Sequence, residues 1–166
     1  MTNGHDLERH LNSRGVVLSI GPASEDRIRL RDILSHSTRV PRSRSTWKLR
    51  TSSTVNSALA ILRNQPIPVV FCEADGPAGT WKNLLQQLNG LPSPPLLVVT
   101  SRLADEALWV EALTRGAYDV LAEPFSPAEV IRTLNSAWLQ WNASRRGQIP
   151  LDACAFQPEM WSTAAL

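Results

Sequence analysis

Glu73, Asp75, Thr100, Arg102 and Glu123 are the side chains of this 166-residue chain best placed to do chemistry. Each lies at or just past the end of a short apolar run: Val69-Val70-Phe71-Cys72, Leu96-Leu97-Val98-Val99 or Val120-Leu121-Ala122. Carboxylates beside a hydroxyl and a guanidinium can ligate a hard cation, accept a transferred group or pair with one another. Other chemistries have less support. His5, His10 and His36 fall in predicted terminal or helix-end segments, so no base is expected beside a nucleophile. Cys72 falls within a predicted buried strand and Cys154 lies far away, which is neither a disulfide framework nor metal-ligand spacing. Gly21-Pro22 is a poor phosphate loop, because one glycine followed by a proline without an N–H cannot bring several backbone donors together.

The elements that must position these groups alternate along the chain. Apolar-rich runs at Val16–Ile20, Trp47–Arg50, Pro68–Cys72, Leu96–Val99 and Val120–Ala122 are each followed by a helical pattern. Short buried strands alternating with amphipathic helices predict a parallel sheet covered on both faces, a flavodoxin-like α/β sandwich. In such sheets ligands sit at the carboxyl ends of the strands, where the strand order reverses. The first helix is predicted to open at Ser24, with Glu25 and Asp26 favouring the positive end of its dipole and Leu30, Ile33 and Leu34 facing inward. Val55, Ala58, Leu59 and Leu62 mark the second helix, and Trp81, Leu84, Leu85 and Leu88 the third. Asn89-Gly90 stops the third helix and Gly116 ends the fourth. Ser126-Pro127-Ala128-Glu129 predicts a capping box for the fifth, with an inner stripe of Val130, Ile131, Leu134, Trp138 and Trp141.

Size and composition set further bounds. The length suits one well-filled core, expected over residues 15–142, with a polar extension over 1–14 and a tail over 143–166. The tail holds Phe156, Met160, Trp161 and Leu166, enough apolar mass to lie back on the domain or dock on a partner. The formal charge is only +2, so nucleic acid is not an expected partner, although Arg39, Arg42 and Arg44 gather in one stretch. No run approaches the ~18 apolar residues of a membrane span and the polar start does not read as a signal peptide. A cytoplasmic protein is expected.

Two longer stretches carry a family resemblance. Ala112-Leu113-Thr114-Arg115-Gly116-Ala117-Tyr118-Asp119-Val120-Leu121-Ala122-Glu123-Pro124-Phe125 resembles the receiver domain of bacterial two-component response regulators. There a Gly-Ala pair precedes a fifth strand ending in Lys-Pro-Phe. Residues 96–101 resemble that family's fourth strand, with Thr100 as the switch residue. Val70-Phe71-Cys72-Glu73-Ala74-Asp75-Gly76-Pro77 resembles its third strand and loop, where the phospho-accepting Asp stands four residues before a proline. The resemblance implies a (βα)5 three-layer sandwich with strand order 2-1-3-4-5. It also implies a pocket in which two adjacent acids and the acceptor Asp hold Mg²⁺, while a Lys and the Thr bind the phosphoryl group.

The sequence departs from that pattern at nearly every reactive position. Ile20-Gly21-Pro22-Ala23 stands where the acid pair belongs, Glu73 takes the acceptor's place and Glu123 replaces the Lys. Asp75 stands where the family offers a backbone carbonyl, and the spacing from Glu73 to Pro77 favours Glu73 as the acceptor-equivalent. A degenerate pocket of Gly21, Pro22, Asp75, Thr100, Arg102 and Glu123 around Glu73 is therefore expected, with no catalytic residue, bound metal or cofactor. Two carboxylates ~5 Å apart repel by roughly 3 kcal/mol at an effective dielectric near 20, so a proton or a cation should intervene. Arg102 is the expected cation.

With the pocket inert, function must lie in binding. The fourth helix is too apolar for one buried side: Leu103, Ala104, Ala107, Leu108, Trp109, Val110, Ala112 and Leu113 cover over half its circumference. Val110, Leu113 and Ala117 are the expected inner stripe. Leu108 and Trp109, beside Val120 and Ala122, then form an interface on the face of the fourth helix, fifth strand and fifth helix. The expected function is a stand-alone pseudo-receiver acting by phosphorylation-independent contact with a protein partner or a second copy. The alternative is a conventional Mg²⁺-dependent, phospho-accepting regulator using Asp75 or Glu73. An unrelated enzyme on the same sheet lacks a nucleophile and base, and a transcription factor lacks a helix-turn-helix after residue 142.

Overall fold

The structure, a computed structural model, describes residues 15–37, 47–76 and 81–146. The polar extension, the tail beyond 146, Pro77, His5, His10, Cys154 and the Arg39, Arg42 and Arg44 cluster lie outside the described residues. Ten elements alternate in chain order. They are β1 (Val16–Ile20), α1 (Glu25–Ser37), β2 (Lys48–Ser52), α2 (Val55–Asn64), β3 (Val69–Glu73), α3 (Trp81–Asn89), β4 (Leu96–Ser101), α4 (Glu106–Arg115), β5 (Asp119–Ala122) and α5 (Pro127–Arg145). The five strands form one sheet in the order β2-β1-β3-β4-β5. Every pair is parallel. This is the flavodoxin-like topology, with the order reversing between β1 and β3.

Side-chain alternation along each strand splits the core into two layers. Val17, Val69, Phe71, Val98 and Leu121 meet Leu30, Ile33 and Leu34 of α1 and Val130, Leu134 and Ala137 of α5. Leu18, Ile20, Val70, Cys72, Leu97, Val99 and Val120 meet the apolar stripes of α2, α3 and α4 on the other face. Cys72 is buried, and that burial pushes its thiol up to about 12, which leaves it a core residue rather than a nucleophile.

Local chemistry sets the helix ends. Ser24 Oγ accepts from the Arg27 N–H at 3.2 Å, Thr54 Oγ1 from Ser57 N–H at 3.2 Å and Asp105 Oδ1 from Leu108 N–H at 2.8 Å. Gly116 closes α4 at φ 104°, a conformation that favours glycine. The capping box expected for α5 does not form. Ser126 occupies the N-cap position and Pro127 the first turn, but the serine side chain makes no capping bond. The inner stripe of α4 also differs from expectation. Val110 points outward at 58% exposure, while Ala112 is buried and Ala104 and Leu108 pack on the core. A helix apolar on most of its circumference leaves its rotation to tertiary fit.

Leu134 and Leu139 lie on the same helix with opposite environments, 0% and 69% exposed. Leu134→Ala should cost about 3 kcal/mol in urea unfolding, as expected for a large-to-small change in a packed core. Leu139→Ala should change stability by less than about 0.5 kcal/mol. Equal effects would place α5 in a different rotation.

Candidate functional site

Four connections meet above the carboxyl ends of the strands, and backbone bonds tie them to the sheet. Gly21 N–H donates to Ser52 O at 3.0 Å, Ala74 N–H to Thr100 O at 2.8 Å and Glu123 N–H to Ser101 O at 2.9 Å. In the β3–β4 register Glu73 stands opposite Thr100. Between these connections lies a cavity of about 20 Å³ lined by Gly21, Asp26, Arg27, Glu73, Thr100 and Glu123, among others. That is room for about one water molecule.

The cavity's charges are largely met from within. The Arg27 guanidinium donates a short hydrogen bond to the Gly21 carbonyl oxygen. It also lies in the field of Glu73, whose charge partly offsets the lowering of Arg27's pKa by burial. Arg102 Nη2 pairs with Asp26 Oδ2 at 2.8 Å; the arginine side chain is largely exposed and the aspartate nearly buried. Glu123 is 9% exposed, and its Oε2 has no hydrogen-bond partner. Burial raises its pKa above the usual carboxylate range. A hydrogen bond from the Thr100 hydroxyl works against that rise, the charges of Asp26 and Glu73 add to it, and Arg102 opposes it.

Three carboxylates thus share one pocket with the Arg27 guanidinium, and Arg102 holds Asp26 from the exposed side. Among the described residues, however, no three His, Cys, Asp or Glu side chains stand close enough together to hold a metal ion. The donor set does not fit Mg²⁺, which demands several oxygens in near-octahedral geometry.

Glu73, Gly21, Pro22, Thr100 and Glu123 all line the cavity. Asp75 does not. Ser101 Oγ donates to its Oδ2 at 3.0 Å and in turn accepts from Leu103 N–H at 3.0 Å, which holds Asp75 at the rim. Arg102 corrects the expectation that it bridges Glu73 and Glu123: its direct partner is Asp26, and it reaches Glu123 only through its field. The cation beside Glu73 is Arg27.

Asp26 and Arg27 escaped the sequence reading. Asp26 has the form of an ordinary first-turn acid and Arg27 that of a solvated helix residue. The available signal was their place in the first turn after β1, the turn that must overhang the strand ends.

On the outer surface, Trp109 is 42% exposed and Ala122 is exposed beside it in the chain order of α4 and β5. Val120 is a correction to the expected interface, because its side chain is buried. Leu108 is half-buried and packs partly against the same core layer. No protein-family profile and no curated protein matches the chain.

Solved structures do match it in shape. The signal receiver domain of an HD domain-containing protein from Pseudomonas fluorescens aligns over 80% of this chain and 93% of its own, with TM-score 0.66 and 21% identity. A response regulator receiver domain protein from Clostridium thermocellum aligns over 78% and 98%, with TM-score 0.64 and 16% identity. The beryllofluoride-activated NtrC4 receiver domain dimer aligns over 76% and 98%, with TM-score 0.62 and 21% identity. At these identities the likeness establishes architecture, and the described chain has the receiver-domain fold.

Proposed function

We propose that this chain is a receiver-like signalling module that binds proteins without being phosphorylated, because its own Arg27 guanidinium stands in the strand-end pocket in the field of Glu73. One observation carries the reading. The cavity above Glu73 is lined by the Arg27 guanidinium and by Asp26, whose carboxylate is held from outside by the exposed Arg102, and about 20 Å³ is left free. Phosphoryl transfer depends on positioning and charge neutralisation by a metal and a cationic side chain. Here Ile20-Gly21-Pro22-Ala23 stands where the resemblance places the metal-binding acids, and Glu123 stands at the Lys position.

Gly21 sits at φ 143°, so an acid placed there is strained, and the missing ligand is not regained by one substitution. The displaced-acid alternative with Asp75 loses support because Ser101 holds that carboxylate outside the cavity. Partner contact is assigned to the face carrying Trp109 and Ala122, since a half-exposed tryptophan is a common interface anchor. A second copy of this chain or another protein fits that surface equally.

Two measurements test the reading. Incubating the protein with acetyl phosphate and Mg²⁺ should leave its intact mass unchanged. It should also leave its sedimentation behaviour the same as in chelator, while Trp109→Ala alone reduces association. A mass gain of one phosphoryl group, mapped to Glu73 or Asp75, contradicts the proposal.

The second measurement is the pH dependence of stability. The native state holds the Glu123 proton to higher pH than the unfolded chain, whose glutamates titrate near ~4.3. Stability from this group is therefore full below that value and falls as pH rises through the raised native pKa. Glu123→Gln removes this loss. The stability gap between variant and wild type should shift in the variant's favour by about 1 kcal/mol from pH 4 to pH 8, the scale of one buried unsatisfied group. In thermal melts that is about 4 °C. Parallel pH profiles contradict a buried, poorly partnered Glu123.

A further inference from the structure

Glu123 is nine-tenths buried and directs a carboxylate oxygen without a partner into a cavity that already holds Asp26 and Glu73. The charged groups around it come from every neighbouring element: Glu25, Asp26 and Arg27 from α1, Glu73 from β3 and Arg102 from the β4–α4 connection. Thr100 supplies a hydroxyl donor from β4. Two of these groups form an ion pair that joins α1 to the β4–α4 connection. Asp26 belongs to α1, Arg102 follows β4, and their contact is 2.8 Å.

We propose that the Glu123 carboxyl is a proton-operated latch on this pocket, a regulatory device that rests on the self-paired reading above. With its proton, Glu123 adds no charge, and Arg102 remains committed to Asp26. The first turn of α1 and the β4–α4 connection are then clamped together. When the proton leaves to solvent, three carboxylates face the Arg27 guanidinium in a space with little water, with Arg102 at its exposed edge. Arg102, already within the field of Glu123, is drawn off Asp26, and the clamp loosens.

The change has a short path to the surface. Glu123 follows exposed Ala122 and is tied by its N–H to the Ser101 carbonyl oxygen at 2.9 Å. Leu103, next to Arg102, is 77% exposed. Ala122 and Leu103 flank α4, which carries Trp109, so the proton's presence alters the surface assigned to partners. A receiver moved by phosphorylation would here become one moved by pH.

The test is an NMR titration of the full chain between pH 4 and pH 9, following glutamate Cδ, backbone amides and the Trp109 indole N–H, without phosphodonor or divalent metal. Glu123 Cδ should titrate above the ordinary glutamate range. Amides of Asp26, Leu103 and Ala122 and the Trp109 indole should share its midpoint. Glu123→Gln should abolish that shared transition and hold the low-pH spectrum throughout. Arg102→Gln should move the Glu123 midpoint upward, since it removes an opposing cation, and should silence Leu103. These two titrations, wild type and Arg102→Gln, decide the matter if the Glu123 variant does not fold.

An ordinary midpoint for Glu123 overturns the latch, and so does a transition that leaves Leu103, Ala122 and Trp109 unmoved. Phosphorylation at Glu73 would instead overturn the self-paired reading. The two failures are distinguishable because the titration contains no phosphodonor.

Discussion

A charge placed above the ends of this sheet must find its counter-charge inside the protein, because the cavity there has room for about one water. That constraint orders the rest of the site. Glu73 enters from β3 and draws Arg27 inward, although a long guanidinium side chain on a first helical turn could equally have stayed in solvent. Asp26, buried beside it, takes Arg102 from across the pocket. Glu123 is buried there with one oxygen unpartnered, and that burial, reinforced by the charges of Asp26 and Glu73, raises its pKa. Arg27 lines the cavity itself, while Arg102 reaches Asp26 from the exposed side.

Legibility in the sequence followed the range of the physics involved. Strand and helix positions are set by local periodicity, and the runs at Val16–Ile20, Leu96–Val99 and Trp81–Leu88 matched observed elements closely. The strand ends follow from the topology, which is why Glu73, Thr100 and Glu123 could be placed over one cavity before any geometry was known. Pairing among long side chains is different. Arg102 to Asp26 spans 76 residues, and one helical residue's rotation decides whether Asp26 or Glu25 reaches the pocket. Nothing in the spacing of charged residues encodes that choice.

The rotation of α4 failed for a related reason. Leu108, Val110 and Leu113 are equally apolar, so composition gave no preferred inner face, and the small Ala112 won the position nearest the sheet. Val120 was expected at the surface because it stands in the fifth strand beside Ala122, on the face that the family resemblance assigns to partners. An edge strand still buries one face, and Val120 lies on it, whereas Ala122 has passed the end of the core. The exposed residues that remain for contact, Trp109 and Ala122, are thus fewer than composition suggested. Their neighbourhood is coupled to the pocket through the Glu123 and Ser101 backbone bond.

The central claim is that side chains of the protein itself fill the site a phosphoryl group and its metal would need. Crystals of the full chain soaked in Mg²⁺ and beryllofluoride examine that claim at atomic detail. The account predicts Arg27 density against Gly21 and Glu73, Arg102 on Asp26, and no beryllofluoride at either acid. A beryllofluoride adduct on Glu73 with a coordinated Mg²⁺, and Arg27 displaced to solvent, would contradict it.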